Sequence, residues 1–345
     1  MEAEQRRPTI RDVADAANVS VSTVSRVMRG DLGFVSQATA AKVRQAASEL
    51  DYHPSQAARA LARGRTMTVG MVYHYPHLTH HQTMLRAVRG LVDQYGYQLL
   101  HAPVESSGGP DPSLLLSERR VDILVLAGTG NAIEAPGWVC EPHQIVVAAG
   151  ARGPFSSSEL LTAWWDDRRG IGQALEHLAE LGHERVAFLA GFDRDKPVLF
   201  REALAELGLT GAVVASEVRA FEHFMQDGAD MARQALQLQP RPTALLARND
   251  DIAIGAIHAL EEDGVRVPEE MSVVGYFDTP GARFSNPSLT SVGTPFTECV
   301  TAVLTEALEA ATARREAELV PRLIDFETCL QVRASTAAAT CPTGL

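Results

Sequence analysis

The sequence predicts an N-terminal all-α helix-turn-helix headpiece joined to an α/β core of two doubly wound subdomains. Within the first sixty residues, apolar side chains recur at helical spacing in three short capped segments. From Met67 onward, short apolar runs alternate with amphipathic helical stretches in two successive series. The charge divides at the same place. The 345 residues carry −12 in all, but residues 1–66 hold ten Lys and Arg against seven Asp and Glu, for +3, which leaves −15 on the rest. A basic module on an acidic body is the usual footprint of a nucleic-acid reader attached to a domain that need not approach phosphate.

The length exceeds one ordinary core, and 46% hydrophobic with 21% charged residues is the mix of a folded globular protein. Cys140, Cys299, Cys329 and Cys341 form no CxxC pair, so neither a zinc ribbon nor a disulfide framework is expected. The N-terminus leads into no apolar signal region and no 18-residue apolar stretch occurs, so the expectation is a cytoplasmic protein with no membrane partner. Arg outnumbers Lys 29 to 2, the lysines being Lys42 and Lys196.

In the headpiece, Thr9 caps a helix over about 10–17, with Asp12 three residues on and Ile10, Val13, Ala14 and Ala17 periodic. Asn18 suits a left-handed turn. Ser20 caps a second helix in which Val24 and Val27 face inward while Val21, Ser22, Ser25, Arg26 and Arg29 face out. A third helix is expected over about Gln37 to Leu50, with Ala40, Val43, Ala47 and Leu50 as its buried stripe. Two short helices joined by a tight turn place the second in the major groove. There Arg26 has the fork suited to guanine O6/N7, Val21 suits a thymine methyl, and Ser22 a base edge or phosphate. Periodicity alone is equally compatible with a helical hairpin that binds nothing.

In the body, strands are expected at Thr68–Tyr73, Gln98–His101, Ile123–Ala127 and Ile145–Ala148, with a helix at Thr83–Tyr95. After Trp165 the alternation restarts, with helices near 169–181, 197–207, 227–238 and 250–263 between strands at 185–190, 212–215, 243–247 and 272–276. A return into the first subdomain follows: Leu289–Val292, a helix near 296–312, and Val320–Phe326. Two such series predict a ligand cleft at the carboxyl ends of the strands. Gly128-Thr129-Gly130 lacks the third glycine of a dinucleotide loop, where Ile133 stands, and no GxxxxGK[ST], GxSxG or HExxH occurs. No enzyme, catalytic residue or cofactor is expected.

The run Thr9 to Gly30, with Tyr52-His53-Pro54 and Ala58-Arg59-Ala60-Leu61, closely resembles the headpiece of the lactose-repressor (LacI/GalR) family of bacterial transcription regulators. The resemblance implies that Val21, Ser22 and Arg26 read bases and that Thr9 and Ser20 hold phosphates. Residues 54–63 are Ala-rich but too short for a stable isolated helix. By the same resemblance they form a hinge helix that orders on DNA, with Leu61 wedged at a base step of the minor groove. Ser55 stands where the family usually has Asn. The resulting division is a headpiece over 1–53, hinge and linker over 54–66, and an effector-binding and dimerisation core over 67–345. Its N-subdomain is about 67–165 plus 294–325 and its C-subdomain about 166–293 plus 326–336.

The body carries further words of the family's periplasmic-binding-protein-like core: Asp166-x-x-x-Gly170, Leu181-Gly182-His183, Leu189-Ala190-Gly191, Asn249-Asp250 and Ser272-Val273-Val274-Gly275-Tyr276. The resemblance places the effector-binding arginine at Arg201 and another ligand contact at Asn249. The alternatives are that Arg201 pairs with Glu202 or Glu206, and that Asn249 only caps the helix at 250. After Tyr276, where the family usually has an Asp that grips sugar hydroxyls, stands Phe277, so a stacking or apolar contact replaces an acceptor unless Asp278 takes it over. His74, His77, His80 and His81 fall in one expected loop, read either as effector contacts or as solvated side chains, with a metal-responsive regulator as the alternative. Trp165 is expected to line the pocket if Trp164 faces the core, or the reverse. The expected partners are a pseudo-palindromic operator duplex, a small-molecule effector such as a sugar or related metabolite, and a second copy of the chain, since the final twelve residues show no heptad for a tetramer.

Overall fold

Three capped helices build the N-terminal part of the structure, a computed structural model that describes residues 8–30, 32–52, 65–74, 79–104, 121–128, 145–151, 160–191, 195–216, 224–315 and 319–339. Helix α1 (Ile10–Ala17) opens on a capping box in which Asp12 N–H donates to Thr9 Oγ1 and the Asp12 carboxylate accepts from Thr9 N–H at 2.7 Å. It stops at Asn18, whose φ of +52° is the left-handed turn that the Asn allows. Ser20 caps α2 (Val21–Arg29) and Ser36 caps α3 (Gln37–Glu49). Val13, Val24, Val27, Ala40, Val43, Ala46 and Ala47 close the core. Leu50 departs from the expected stripe. It sits past the last helical turn and is exposed, while Asp51 turns left-handed and Tyr52 folds back into the core on a hydrogen bond to Ala47 O.

The chain divides into two units, Met1–Met67 and Thr68–Leu345. In the second unit one six-stranded sheet is wholly parallel, in the order β11-β5-β4-β3-β1-β2. Its strands are β1 (Thr68–His74), β2 (Gln98–Val104), β3 (Ile123–Gly128), β4 (Ile145–Ala151), β5 (Leu161–Trp165) and β11 (Arg322–Phe326). The other sheet runs β12-β10-β9-β8-β6-β7, from β6 (Arg185–Leu189), β7 (Thr210–Val214), β8 (Ala244–Ala247), β9 (Ser272–Phe277), β10 (Thr290–Gly293) and β12 (Cys329–Gln331), with β12 antiparallel to β10. β3, β4, β8 and β9 are buried along nearly their whole length, as parallel strands covered on both faces must be. The chain passes between the sheets three times, after β5, β10 and β11.

Helices α4 (Thr79–Gln94) and α10 (Phe296–Ala313) pack together, and α10 lies on β3, β4 and β5. Helices α5 (Asp167–Glu180), α6 (Lys196–Leu207), α7 (Phe224–Leu236), α8 (Asp250–Glu262) and the short α9 (Pro280–Phe284) belong with the second sheet. The crossing of α7 and α8 is built on glycine. A Cβ at Gly228 would lie 2.1 Å from Ile252 O, and one at Gly255 would lie 1.9 Å from Met225 O. Helix α4 begins a turn before the sequence suggests, so His80 and His81 are helical and buried rather than in a loop. Its buried side chains His80, Met84, Val88 and Val92 fall at a regular four-residue spacing, which the polarity of histidine conceals. No helix among the described residues is long and apolar enough to cross a membrane.

Candidate functional site

Two sites emerge, one in each unit. On the headpiece, Val21, Ser22 and Arg26 are exposed along the start and middle of α2, Ser25 is half-buried, and Arg29 is the last residue of that helix. Thr9 and Ser20 stand at the N-termini of α1 and α2, where unpaired amides and the helix dipole favour an anion. Both hydroxyls also serve the helices, Ser20 Oγ accepting from Thr23 N–H at 3.1 Å and Thr9 Oγ1 lying 2.7 Å from Asp12 Oδ2. Leu61 and the hinge segment 54–63 lie outside the described residues.

In the body, side chains from both sheets converge beyond the carboxyl ends of the strands. His80 on α4 stacks on Phe277 at the end of β9, with ring centroids 4.0 Å apart and planes 15° from parallel. His81 lies against His80 at 4.2 Å, and Phe296 meets His81 and Trp165 edge-on at 5.2 and 5.5 Å. Beside these rings runs a buried ionic network. Lys196 Nζ donates to Asp167 Oδ2 at 2.6 Å, while Asp167 Oδ1 accepts from Tyr276 Oη at 2.8 Å and Trp165 Nε1 at 2.9 Å. The Lys196 ammonium also lies over the Tyr276 and Phe277 rings, at 5.0 and 5.7 Å. Burial, together with the neighbouring His81, Arg248 and Lys196, holds the His80 imidazole well below its ordinary range, so it is neutral at pH 7.

Backbone strain marks the same place. Phe277 has φ +94° and Asp278 φ +47°, and a bulky side chain at positive φ persists only where its surroundings impose it. Asp250, at the start of α8, accepts from Ser291 Oγ and Thr279 N–H, both at 2.6 Å. Burial nevertheless pushes its carboxyl up to about 7 against the pull of those donors. Asn249 caps α8 through Oδ1, which accepts from Ile252 N–H at 2.8 Å; its buried Nδ2 finds no hydrogen-bond partner among the described residues, nor does His80 Nε2.

The structure brings together His80, His81, Trp165 and Phe277, with Asn249 and Asp278 at adjoining strand ends. Arg201 is exposed on α6 and donates to Pro197 O on its own helix at 3.4 Å; Glu202 and Glu206 pair with Arg168 instead. Arg248 is buried near His80, and the cation that α6 brings into the cluster is Lys196, five residues before Arg201. The signal for it in the sequence is its rarity, one of two lysines among 31 basic residues. The two carboxylate oxygens of Asp278 pair with Arg333 and Arg283. His74 ends β1, His77 lies outside the described residues, and Trp164 is buried alongside Trp165. No three His, Cys, Asp or Glu side chains among the described residues form a group able to hold a metal ion.

The family model for bacterial regulatory proteins of the lacI family matches residues 9–55, and that for a periplasmic binding protein-like domain matches residues 175–336. The HTH-type transcriptional regulator AscG of Escherichia coli (strain K12) is 32% identical over 310 residues, covering 86% of this chain and 90% of AscG. The chain belongs to the LacI family. Other relatives of this LacI-family regulator include the HTH-type transcriptional repressor PurR of Haemophilus influenzae (strain PittEE), 31% identical over 82% of this chain and 85% of PurR. Among solved structures, the lac repressor dimer bound to operator and the anti-inducer ONPF has a TM-score of 0.77 at 26% identity, covering 96% of this chain and all of that one. The CelR–cellobiose complex has a TM-score of 0.63 at 27% identity, over 95% of this chain and all of CelR. The LacI-family protein is thus a DNA-binding transcription regulator with the two-sheet core its sequence predicts.

Proposed function

We propose that this regulator is a repressor that binds a pseudo-palindromic operator as a homodimer, with operator affinity set by a small molecule in the cleft between its two sheets. The observation that carries the effector part is the stacking of His80 on Phe277, a contact between elements of different sheets whose making or breaking separates two arrangements of the core. A ligand that inserts between the rings favours one arrangement and gains two aromatic faces, with His80 Nε2 and Asn249 Nδ2 awaiting polar partners. Phe277 in place of a carboxylate, and Asp278 held by two arginines, favour a flat, partly apolar effector over a bare sugar. His81, Trp165 and Lys196 complete the wall.

On the DNA side, the headpiece (1–53) reads bases through Val21, Ser22 and Arg26 and phosphates through Thr9, Ser20, Ser25 and Arg29. Residues 54–66 form the hinge, and Leu61 opens a base step in the minor groove. The test is fluorescence anisotropy of the full-length protein on a duplex it selects from a randomised pool. Sugars, nucleosides, nucleobases and aromatic acids are added in turn. A planar compound that shifts operator affinity tenfold or more in wild type, and not in Phe277→Ala, is the expected result. Equal response of the two proteins would refute the cleft assignment. Arg26→Ala is expected to relax sequence preference, and unchanged preference for the selected duplex over random DNA would refute its role.

A further inference from the structure

In the turn between α2 and α3, the Phe34 ring is 87% exposed, while Tyr52, the other aromatic among the described headpiece residues, is buried. Phe34 therefore contributes little to the headpiece core. Its contact is Arg26, whose guanidinium Cζ lies 5.5 Å from the ring centroid. Stacking occupies the face of a guanidinium and leaves its N–H edge free; bidentate pairing with guanine uses only that edge. The two interactions are compatible at once. A solvent-exposed arginine otherwise surrenders much of its rotamer freedom on binding, and an arginine already held over a ring surrenders less.

We propose that Phe34 is a positioning residue for DNA recognition: it holds the Arg26 guanidinium by its face and so sets discrimination at the base pair Arg26 reads. This rests on the base-reading role proposed for Arg26. It adds a second determinant, outside α2, to the specificity of the headpiece. A planar face is what the role requires, so tyrosine or tryptophan at this position serves and an aliphatic side chain does not.

The test measures binding of full-length protein to the duplex it selects from a randomised pool and to that duplex with each G·C pair changed in turn to A·T. Phe34→Ala is expected to reduce discrimination at one pair per half-site by about two- to fivefold, the scale of one exposed cation–π contact. Affinity for random duplex and the melting temperature stay as in wild type, and Phe34→Trp retains full discrimination. In an Arg26→Ala background Phe34→Ala has no further effect, because the two residues act as one unit. Full discrimination by Phe34→Ala, losses that add in the double variant, or a lowered melting temperature that accounts for the loss would overturn the proposal and leave the Arg26 assignment intact. Undiminished discrimination in Arg26→Ala alone would overturn both.

Discussion

At the scale of single residues, the cleft depends on partners that balance one another. Lys196 and Asp167 are both buried, and Asp167 also receives the Tyr276 hydroxyl and the Trp165 indole N–H. Removing the ammonium leaves a carboxylate in apolar surroundings. Lys196→Ala is therefore expected to destabilise the core by about 3–5 kcal/mol, as breaking one side of a buried pair does. Urea unfolding monitored by tryptophan fluorescence measures it, and a loss under about 1 kcal/mol would show that water reaches Asp167 readily. The positions of these residues are only partly legible in the sequence. Family resemblance points to Arg201, more than a helical turn further along α6 than the Lys196 that pairs with Asp167, because polarity alone does not separate the basic residues of that helix. What distinguishes Lys196 from Arg201 is which side of α6 faces the strands, and that is set by packing among Pro197, Phe200, Ala203 and Leu204, not by local words.

At the scale of elements, the start of α4 and the crossing of α7 with α8 show where periodicity suffices and where it does not. The strands of both sheets stand out as apolar runs bounded by turn residues, and Asn249, Ser20 and Thr9 mark helix starts that the structure shares. The sequence predicts too short an α4 because two histidines interrupt its apolar stripe. No pattern of hydrophobicity reveals the α7–α8 contact, since glycine has no side chain to enter such a pattern. Each of Gly228 and Gly255 lets the backbone carbonyl of the other helix approach to where a Cβ would stand. Gly255→Ala is expected to cost about 1–3 kcal/mol by forcing the helices apart, although alanine gains about 1 kcal/mol in helix propensity. A thermal melt decides it; a rise in stability would mean that the crossing relaxes without penalty.

At the scale of the whole molecule, buried ionisable groups make stability depend on pH in opposing directions. Burial raises the Asp250 carboxyl from 3.8 to about 7, so the folded protein binds this proton more tightly than the unfolded chain. Its stabilising contribution is complete below the unfolded value and is lost as pH rises from about 4 to about 7. His80, His177 and His183 are held below 6.5, chiefly by burial, and their contribution is lost as pH falls through that value. Asp250→Asn isolates the first effect. Between pH 4 and pH 7 wild type is expected to lose about 4 kcal/mol relative to the variant, because each pH unit between the unfolded and folded values is worth about 1.36 kcal/mol. Parallel pH profiles from chemical denaturation would exclude it.

The triple passage between the sheets also orders events during synthesis. A chain made from its N-terminus completes α1 to α3 well before β11 and β12 emerge, with nearly the whole body in between. Until Arg322–Phe326 and Cys329–Gln331 have left the ribosome, β5 and β10 remain open edges, one on each sheet. Open strand edges pair readily with other chains. The reader of DNA can thus be finished while both sheets of the α/β body are still unclosed, and a translation stall before Arg322 yields a nascent chain that calls for a chaperone at two edges at once.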